Sequence, residues 1–228
     1  MNIIIATLKK WDIYHFQKIC SLFPQINFIL ISNEKQLNSD FISLINPRYI
    51  FFTHWSFIIP KTIYQNYECV IFHMSDLPYG RGGSPLQNLI LQKNKTTKIS
   101  AIKANSELDG GDVYLKYNLN ISRKNAKKIY KNASKIIFFK MIPYIFKNNP
   151  KPIPQSGKIS IFKRRTPEQS NLTCLNNPNL EKIFDFIRML DAPSYPKAFL
   201  KFENIKIEFK NVKNKKNQLI GRFKIYEE

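Results

Sequence analysis

Residues 2–31 read NIIIATLKKWDIYHFQKICSLFPQINFILI, two short apolar β-branched runs (Asn2–Thr7 and Ile26–Ile31) flanking a helical stretch at Lys10–Leu22. The alternation repeats downstream. A polar connection with helical content runs up to Ile45, Tyr49–Phe52 is a third strand, Pro60 sits at a helix start, and Glu68–Phe72 is a fourth strand. The runs are continuously apolar and do not alternate, which suits strands buried on both faces. Strands of that kind separated by helices predict an α/β fold, a doubly wound, Rossmann-like and mostly parallel sheet.

Beyond the fourth strand the loop His73–Pro85 (HMSDLPYGRGGSP) is dense in glycine and proline, and a helix runs from there to about Lys93. Ile99–Ala104 and Asp112–Lys116 read as two strands joined by the turn Asn105–Gly111 (NSELDGG). Ser122–Lys147 carries one helical pattern with a basic polar face and a bend near Pro143. Asn149–Ser156 (NPKPIPQS) holds three prolines in eight residues. These boundaries predict a catalytic domain over 1–148, a Pro-rich linker over 149–157 and a small α+β subdomain over 158–228. The subdomain holds a strand at Lys158–Lys163, a helix at Asn179–Leu190 and a β-meander from Ala198 to Ile225.

Composition excludes several classes. With 43% hydrophobic residues the chain can build a core, and its seven glycines and thirteen prolines do not fit a fibrous protein. No apolar run is long enough to cross a bilayer, and the opening segment does not read as a signal peptide. Three scattered cysteines without a CxxC or Cys/His cluster predict neither a metal site nor a disulfide framework, which fits a reducing cytoplasm. The net charge of +20 is the obvious pointer to nucleic acid. Against it, the surplus is 29 Lys with only 7 Arg, alongside 33 Ile and 23 Asn, all three enriched types having AT-rich codons. Phosphate recognition favours the bidentate guanidinium. The charge therefore reads mainly as compositional drift, and neither nucleic acid nor membrane is the expected partner.

Loops beyond the carboxyl ends of parallel strands carry the chemistry of such sheets. Here that loop offers His73, Ser75, Asp76, Tyr79 and Arg81, with glycines at 80, 82 and 83. If the two strands around Asn105–Gly111 pair as a hairpin, Asp109 returns toward the same end. A histidine after a strand and a carboxylate on a neighbouring loop are the minimum set for general base catalysis.

The loop HMSDLPYGRGGSP resembles the motif of the formyltetrahydrofolate-dependent formyltransferases, and the turn Leu108-Asp109-Gly110-Gly111 resembles the family's second motif. Trp55–Pro60 (WSFIIP) is similar to its folate-side loop, in the family order. Phe162–Ser170 (FKRRTPEQS) and Ile187–Phe199 (IRMLDAPSYPKAF) resemble the segment that sugar N-formyltransferases carry after their catalytic domain. The resemblance implies that N10-formyltetrahydrofolate is the donor, without a metal. It implies that His73 accepts the amine proton or stabilises the tetrahedral oxyanion while Asp109 holds the imidazole. Trp55, Ile58, Ile59, Pro60, Leu108 and Asp109 would line the folate side. The family's Asn two positions before the histidine is Ile71 here, a departure that removes an oxyanion donor.

For the acceptor, the tRNA-directed members carry a C-terminal barrel larger than the region beyond the linker in this chain. The expectation is therefore a UDP- or dTDP-linked amino-deoxysugar of bacterial surface-glycan synthesis. Ser75, Tyr79, Arg81, Gly82, Lys163 and Arg164 would bind it, the cations on its diphosphate. The alternatives are a methionyl-tRNA-directed enzyme, or a non-catalytic homologue given Ile71. A homodimer through the C-terminal region is implied by resemblance only.

Overall fold

Five of the six residues of β1 (Asn2–Thr7) are buried, as a β-branched run between two neighbours in a sheet requires. The computed structural model describes residues 1–193 and 195–228; Ser194, inside the Ile187–Phe199 segment, lies outside the described residues. Helix α1 (Lys10–Leu22) leads to β2 (Asn27–Ile31), and α2 (Ser39–Ile45), capped by the Asn38 side chain, leads to β3 (Tyr49–Thr53). Helix α3 (Lys61–Tyr64) starts after Pro60 and precedes β4 (Cys69–His73). Then come β5 (Arg81–Gly82), α4 (Pro85–Leu91) with Pro at its first position, β6 (Thr96–Lys103) and β7 (Val113–Asn120). The chain continues through α5 (Ala126–Ile136), α6 (Ile142–Asn148) and β8 (Ile161–Phe162). It closes with α7 (Leu180–Leu190), β9 (Ala198–Phe202), β10 (Ile205–Lys215) and β11 (Gln218–Glu227).

Two compact units interleave along the sequence: residues 1–81, 98–119 and 131–161 form the first, and 82–97, 120–130 and 162–228 the second. In the first, the six-stranded sheet has the order β2-β1-β3-β4-β6-β7. β1 pairs in parallel with β2 and β3, and β3 with β4, while β6 is antiparallel to β4. This is the α/β, mostly parallel sheet that the apolar runs predict. The expected single helix from Ser122 breaks into α5 and α6 around a π-helical segment, Ile137–Met141. Pro143 accounts for this, since it donates no backbone hydrogen bond and its ring crowds the carbonyl four residues back, inside that segment.

In the second unit β9, β10 and β11 form an antiparallel meander. Helix α7 is capped by the Asn179 side chain. β10 shifts register between Lys210 and Lys213, where Asn211 has a φ of +55°.

Candidate active site

The strand order reverses direction between β1 and β3, the point at which sheets of this class open a crevice at their carboxyl ends. Thr7 and Thr53 pair there across the two strands, and a buried carboxylate occupies the place. Asp12, on α1, is fully buried. Its Oδ2 accepts from Thr7 Oγ1 at 2.7 Å, Thr53 Oγ1 at 3.0 Å and His54 Nδ1 at 3.0 Å. Its Oδ1 accepts from Ser134 Oγ, which also lies 2.6 Å from His15 Nδ1. Burial pushes the Asp12 carboxyl up, but the hydrogen bond and charge of His54 and the hydroxyl donors outweigh it and hold the group below its usual value. This network braces the start of the loop after β3, where His54 has a φ of +50°.

Trp55 is the next residue. It packs on the core cluster that includes Ile4, Ala6 and Ile31, with Ile59 beside it, and its ring stands 5.9 Å from Phe52 and 5.6 Å from Phe57. Its indole Nε1 is buried without a hydrogen-bond partner. Ile58 is 91% exposed and Leu108 67% exposed, both large apolar side chains offered to solvent. An orphaned donor beside apolar side chains suits a flat heteroaromatic ligand that brings an acceptor. Pro60 caps α3.

His73 is the last residue of β4 and pairs with Ser100 on β6. Its Nε2 lies 2.8 Å from the Gly80 carbonyl, which also accepts from Ser75 Oγ at 3.1 Å. A carbonyl only accepts, so Nε2 carries the hydrogen, and in the neutral ring Nδ1 keeps the lone pair. Nδ1 lies 3.4 Å from Asp109 Oδ2. The tautomer is thus set by Gly80, and Asp109 faces the basic nitrogen. Ser100 Oγ stitches the loop to the sheet by accepting from Leu77 N and donating to Ser75 O. Burial pushes the Asp76 carboxyl up, but Lys116 and Lys98 outweigh it and hold the group below its usual value. The turn bearing Asp109 (φ +49°) presses against β6 so closely that a Cβ on Gly111 would stand 1.7 Å from the Lys103 carbonyl oxygen.

The first unit therefore brings His73, Ser75, Asp109 and Arg81 together. Ser75 is fully buried on the Gly80 carbonyl, and Tyr79 is 40% exposed. The Arg81 guanidinium bonds Gln155 and lies 3.4 Å from Glu107. Ile71 packs with Leu77, Ile102 and Val113, so the position of the family's Asn offers no donor. Gly82, Lys163 and Arg164 belong to the second unit, where a Cβ on Gly83 would sit 2.5 Å from Arg164 Cβ. Gln155, the Gly80 carbonyl and the Asp12 network carry no local sequence signal. Among the described residues no group of His, Cys, Asp or Glu side chains could hold a metal ion, and no helix is long and apolar enough to cross a membrane.

The second unit also holds a cleft of about 910 Å³. Arg123, Lys124 and Lys128 line one wall and Lys213, Lys215, Lys216 and Arg222 the other, with no acidic residue among the described lining residues. Buried Arg188 donates to the carbonyls of Ile121 and Lys124, and Asp191 Oδ2 accepts from Asn125 Nδ2 and Asn211 N. Both walls are therefore tied to the end of α7. A part of the positive charge that composition attributes to drift is gathered by the fold into one concave surface.

Residues 167–226 match the family model described as methionyl-tRNA formyltransferase, C-terminal domain. The chain is similar to a solved methionyl-tRNA formyltransferase from Clostridium thermocellum, at 47% identity over all of both chains with a TM-score of 0.96. It is 29% identical over 205 residues, 87% of this chain and 30% of the relative, to the bifunctional polymyxin resistance protein ArnA of Wigglesworthia glossinidia brevipalpis. A sugar N-formyltransferase from a Shewanella species shares the fold, with a TM-score of 0.70 at 14% identity over 97% of this chain and 96% of that one. The chain spans about a third of the length of the first curated relatives it matches.

These matches overturn the amino-sugar acceptor expected from the sequence. The full-length match at 47% identity is to a methionyl-tRNA formyltransferase, whereas the sugar-directed structure shares only the fold. The region after the linker is short against a barrel and so points away from tRNA on length alone, yet it matches a C-terminal domain model of that class.

Proposed function

Because the chain belongs to the formyltransferase family, we propose that it transfers a formyl group from N10-formyltetrahydrofolate to the amino group of methionyl-tRNA. The full-length 47% identity to a methionyl-tRNA formyltransferase carries this reading, and the cationic cleft supports it. Seven cations line that cleft with no acidic residue among the described lining residues, and such a concentration of positive charge suits sequence-independent contact with a phosphate backbone.

The donor, when bound, supplies an activated formyl carbon. Trp55, with Ile58 and Leu108, would hold its ring system. The acceptor amine must lose a proton as it attacks, and His73 Nδ1 is the nitrogen left to take it. Protonation gives Nδ1 a hydrogen facing Asp109 Oδ2 while Nε2–H stays on Gly80, so both donors of the imidazolium have acceptors. Asp109 thus stabilises the charged ring as it forms. Ile71 leaves the oxyanion to a donor other than the family's Asn.

Incubation of the protein with N10-formyltetrahydrofolate and methionyl-tRNA should yield a product heavier by one formyl group, with free methionine and uncharged tRNA unchanged. Absence of formylmethionyl-tRNA at high enzyme concentration and low salt would overturn the assignment.

A further inference from the structure

We propose that Gln155 is a positioning residue that holds in place the two groups bracketing the His73 ring, the Gly80 carbonyl and the Asp109 carboxylate, an inference that rests on the proton-accepting role of His73. Gln155 lies in the proline-rich stretch that by composition is a linker. That stretch is pinned to the sheet by a bridge in which Ile153 and Val113 exchange backbone hydrogen bonds of 2.8 and 3.0 Å.

The Gln155 amide is fully used. Its Nε2 donates to the Asp109 carbonyl at 2.8 Å and to the Gly111 carbonyl at 2.8 Å, one hydrogen to each. Its Oε1 accepts from Arg81 Nε at 3.2 Å and Nη2 at 3.0 Å, one bond per lone pair. Chemistry alone dictates the orientation, because a guanidinium only donates and a carbonyl only accepts.

The geometry closes on His73 from both sides. The Asp109 carbonyl belongs to the residue whose carboxylate faces Nδ1. Arg81 is bonded in the chain to Gly80, whose carbonyl takes Nε2–H. One side chain therefore sets the spacing between the two groups that bracket the imidazole. Asp109 sits in the left-handed region, a conformation that a non-glycine residue keeps only when its surroundings enforce it. No other side chain reproduces the set. Glutamate has no hydrogen for the two carbonyls, methionine has neither donor nor acceptor of use, and asparagine is shorter by one methylene.

The test compares Gln155→Met and Gln155→Glu with the parent, alone and in an Asp109→Asn background. With N10-formyltetrahydrofolate and methionyl-tRNA, each single variant should lose about 10- to 100-fold in kcat, because a displacement of about 1 Å costs that much, with KM changing by less than about threefold. In the Asp109→Asn background the same substitution should cost several-fold less than in the parent, because one of its two routes to the base, the one through the Asp109 carboxylate, has already been cut. Independent losses that multiply in the double variant would overturn the proposal, as would parent-like kcat in Gln155→Met.

A second measurement does not depend on turnover. Nitrogen-15 spectra of the His73 ring should show one Nε2–H tautomer in the parent and tautomer averaging in Gln155→Met; identical spectra would overturn the proposal. If Asp109→Asn is itself as active as the parent, the assignment of the site fails. If Asp109→Asn is inactive and only the Gln155 variants are unaffected, the fault lies with Gln155 alone.

Discussion

Replacing Asp12 by alanine should be among the most damaging single substitutions in the first unit. The carboxylate is fully buried and takes four hydrogen bonds, three on Oδ2 and one on Oδ1. Removing it leaves Thr7, Thr53, His54 and Ser134 to find new partners in a closed space. Leaving a buried donor without its charged acceptor costs about 1–3 kcal/mol, and with four donors affected and the three hydroxyls free to rotate toward other acceptors the total comes to about 3–5 kcal/mol. For a chain of this size each kcal/mol lowers the melting temperature by about 2–4 °C, so a fall of about 6–20 °C is expected. Asp12→Asn should cost less, about 1–2 kcal/mol, because its oxygen can still serve the Oδ2 cluster while Ser134 Oγ turns to accept from its NH2.

Urea unfolding monitored by tryptophan fluorescence is a direct assay, since Trp11 lies 6.1 Å from the His54 ring and Trp55 is the next residue. Two shifted groups of this network, Asp12 and His15, set the sign of its pH dependence. The Asp12 carboxyl is held below its usual 3.8, so its contribution is present above that value and is lost as the pH falls through the folded-state value. Burial lowers His15 below its usual 6.5, so the unfolded chain takes up that proton first and stability declines as the pH drops below 6.5. An Asp12→Ala protein within about 1 kcal/mol of the parent at pH 7, or an Asn variant as damaged as the Ala variant, would refute the reasoning.

His73, the cationic cleft and the Asp109 turn can each be probed separately. His73→Ala should lower formyl transfer by about 10²–10⁴-fold with folding intact, measured by steady-state kinetics alongside circular dichroism. Replacing Lys213, Lys215 and Lys216 by Gln should weaken tRNA binding and flatten the dependence of log affinity on log salt by about 0.7–0.9 per lost phosphate contact, read from filter binding between low and physiological salt. Gly111→Ala places a Cβ 1.7 Å from a backbone oxygen, so the turn must move, and a loss of about 2–4 kcal/mol in urea unfolding is expected.

The parallel half of the sheet is legible in residues 2–73 because each strand is a continuous apolar run, a pattern that suits strands buried on both faces and that β1 and β3 follow. The helix break before Pro143 is legible for an equally local reason, a missing N–H. His73 and Asp109 stand out because strand ends and tight turns punctuate the chain at fixed places, and the family's motifs coincide with that punctuation. The contacts that bind those residues to one another are not local. Gln155 lies 82 positions after His73 in a stretch whose composition says linker, and only the pairing of Ile153 with Val113 brings its amide to the Asp109 turn. Asp12 reads as an ordinary helix-surface carboxylate until Thr7, Thr53, His54 and Ser134 converge on it.

The charge obeys the same rule. Composition counts 36 basic residues and cannot say where they stand. Packing of α7 brings residues 123–128 and 213–222, about ninety positions apart, to the two walls of one cleft. Patterns with a period of two to four residues survive in a linear reading because they report on the chain's own geometry. A site made of distant segments depends on which faces pack, and that is settled only when the whole chain has folded.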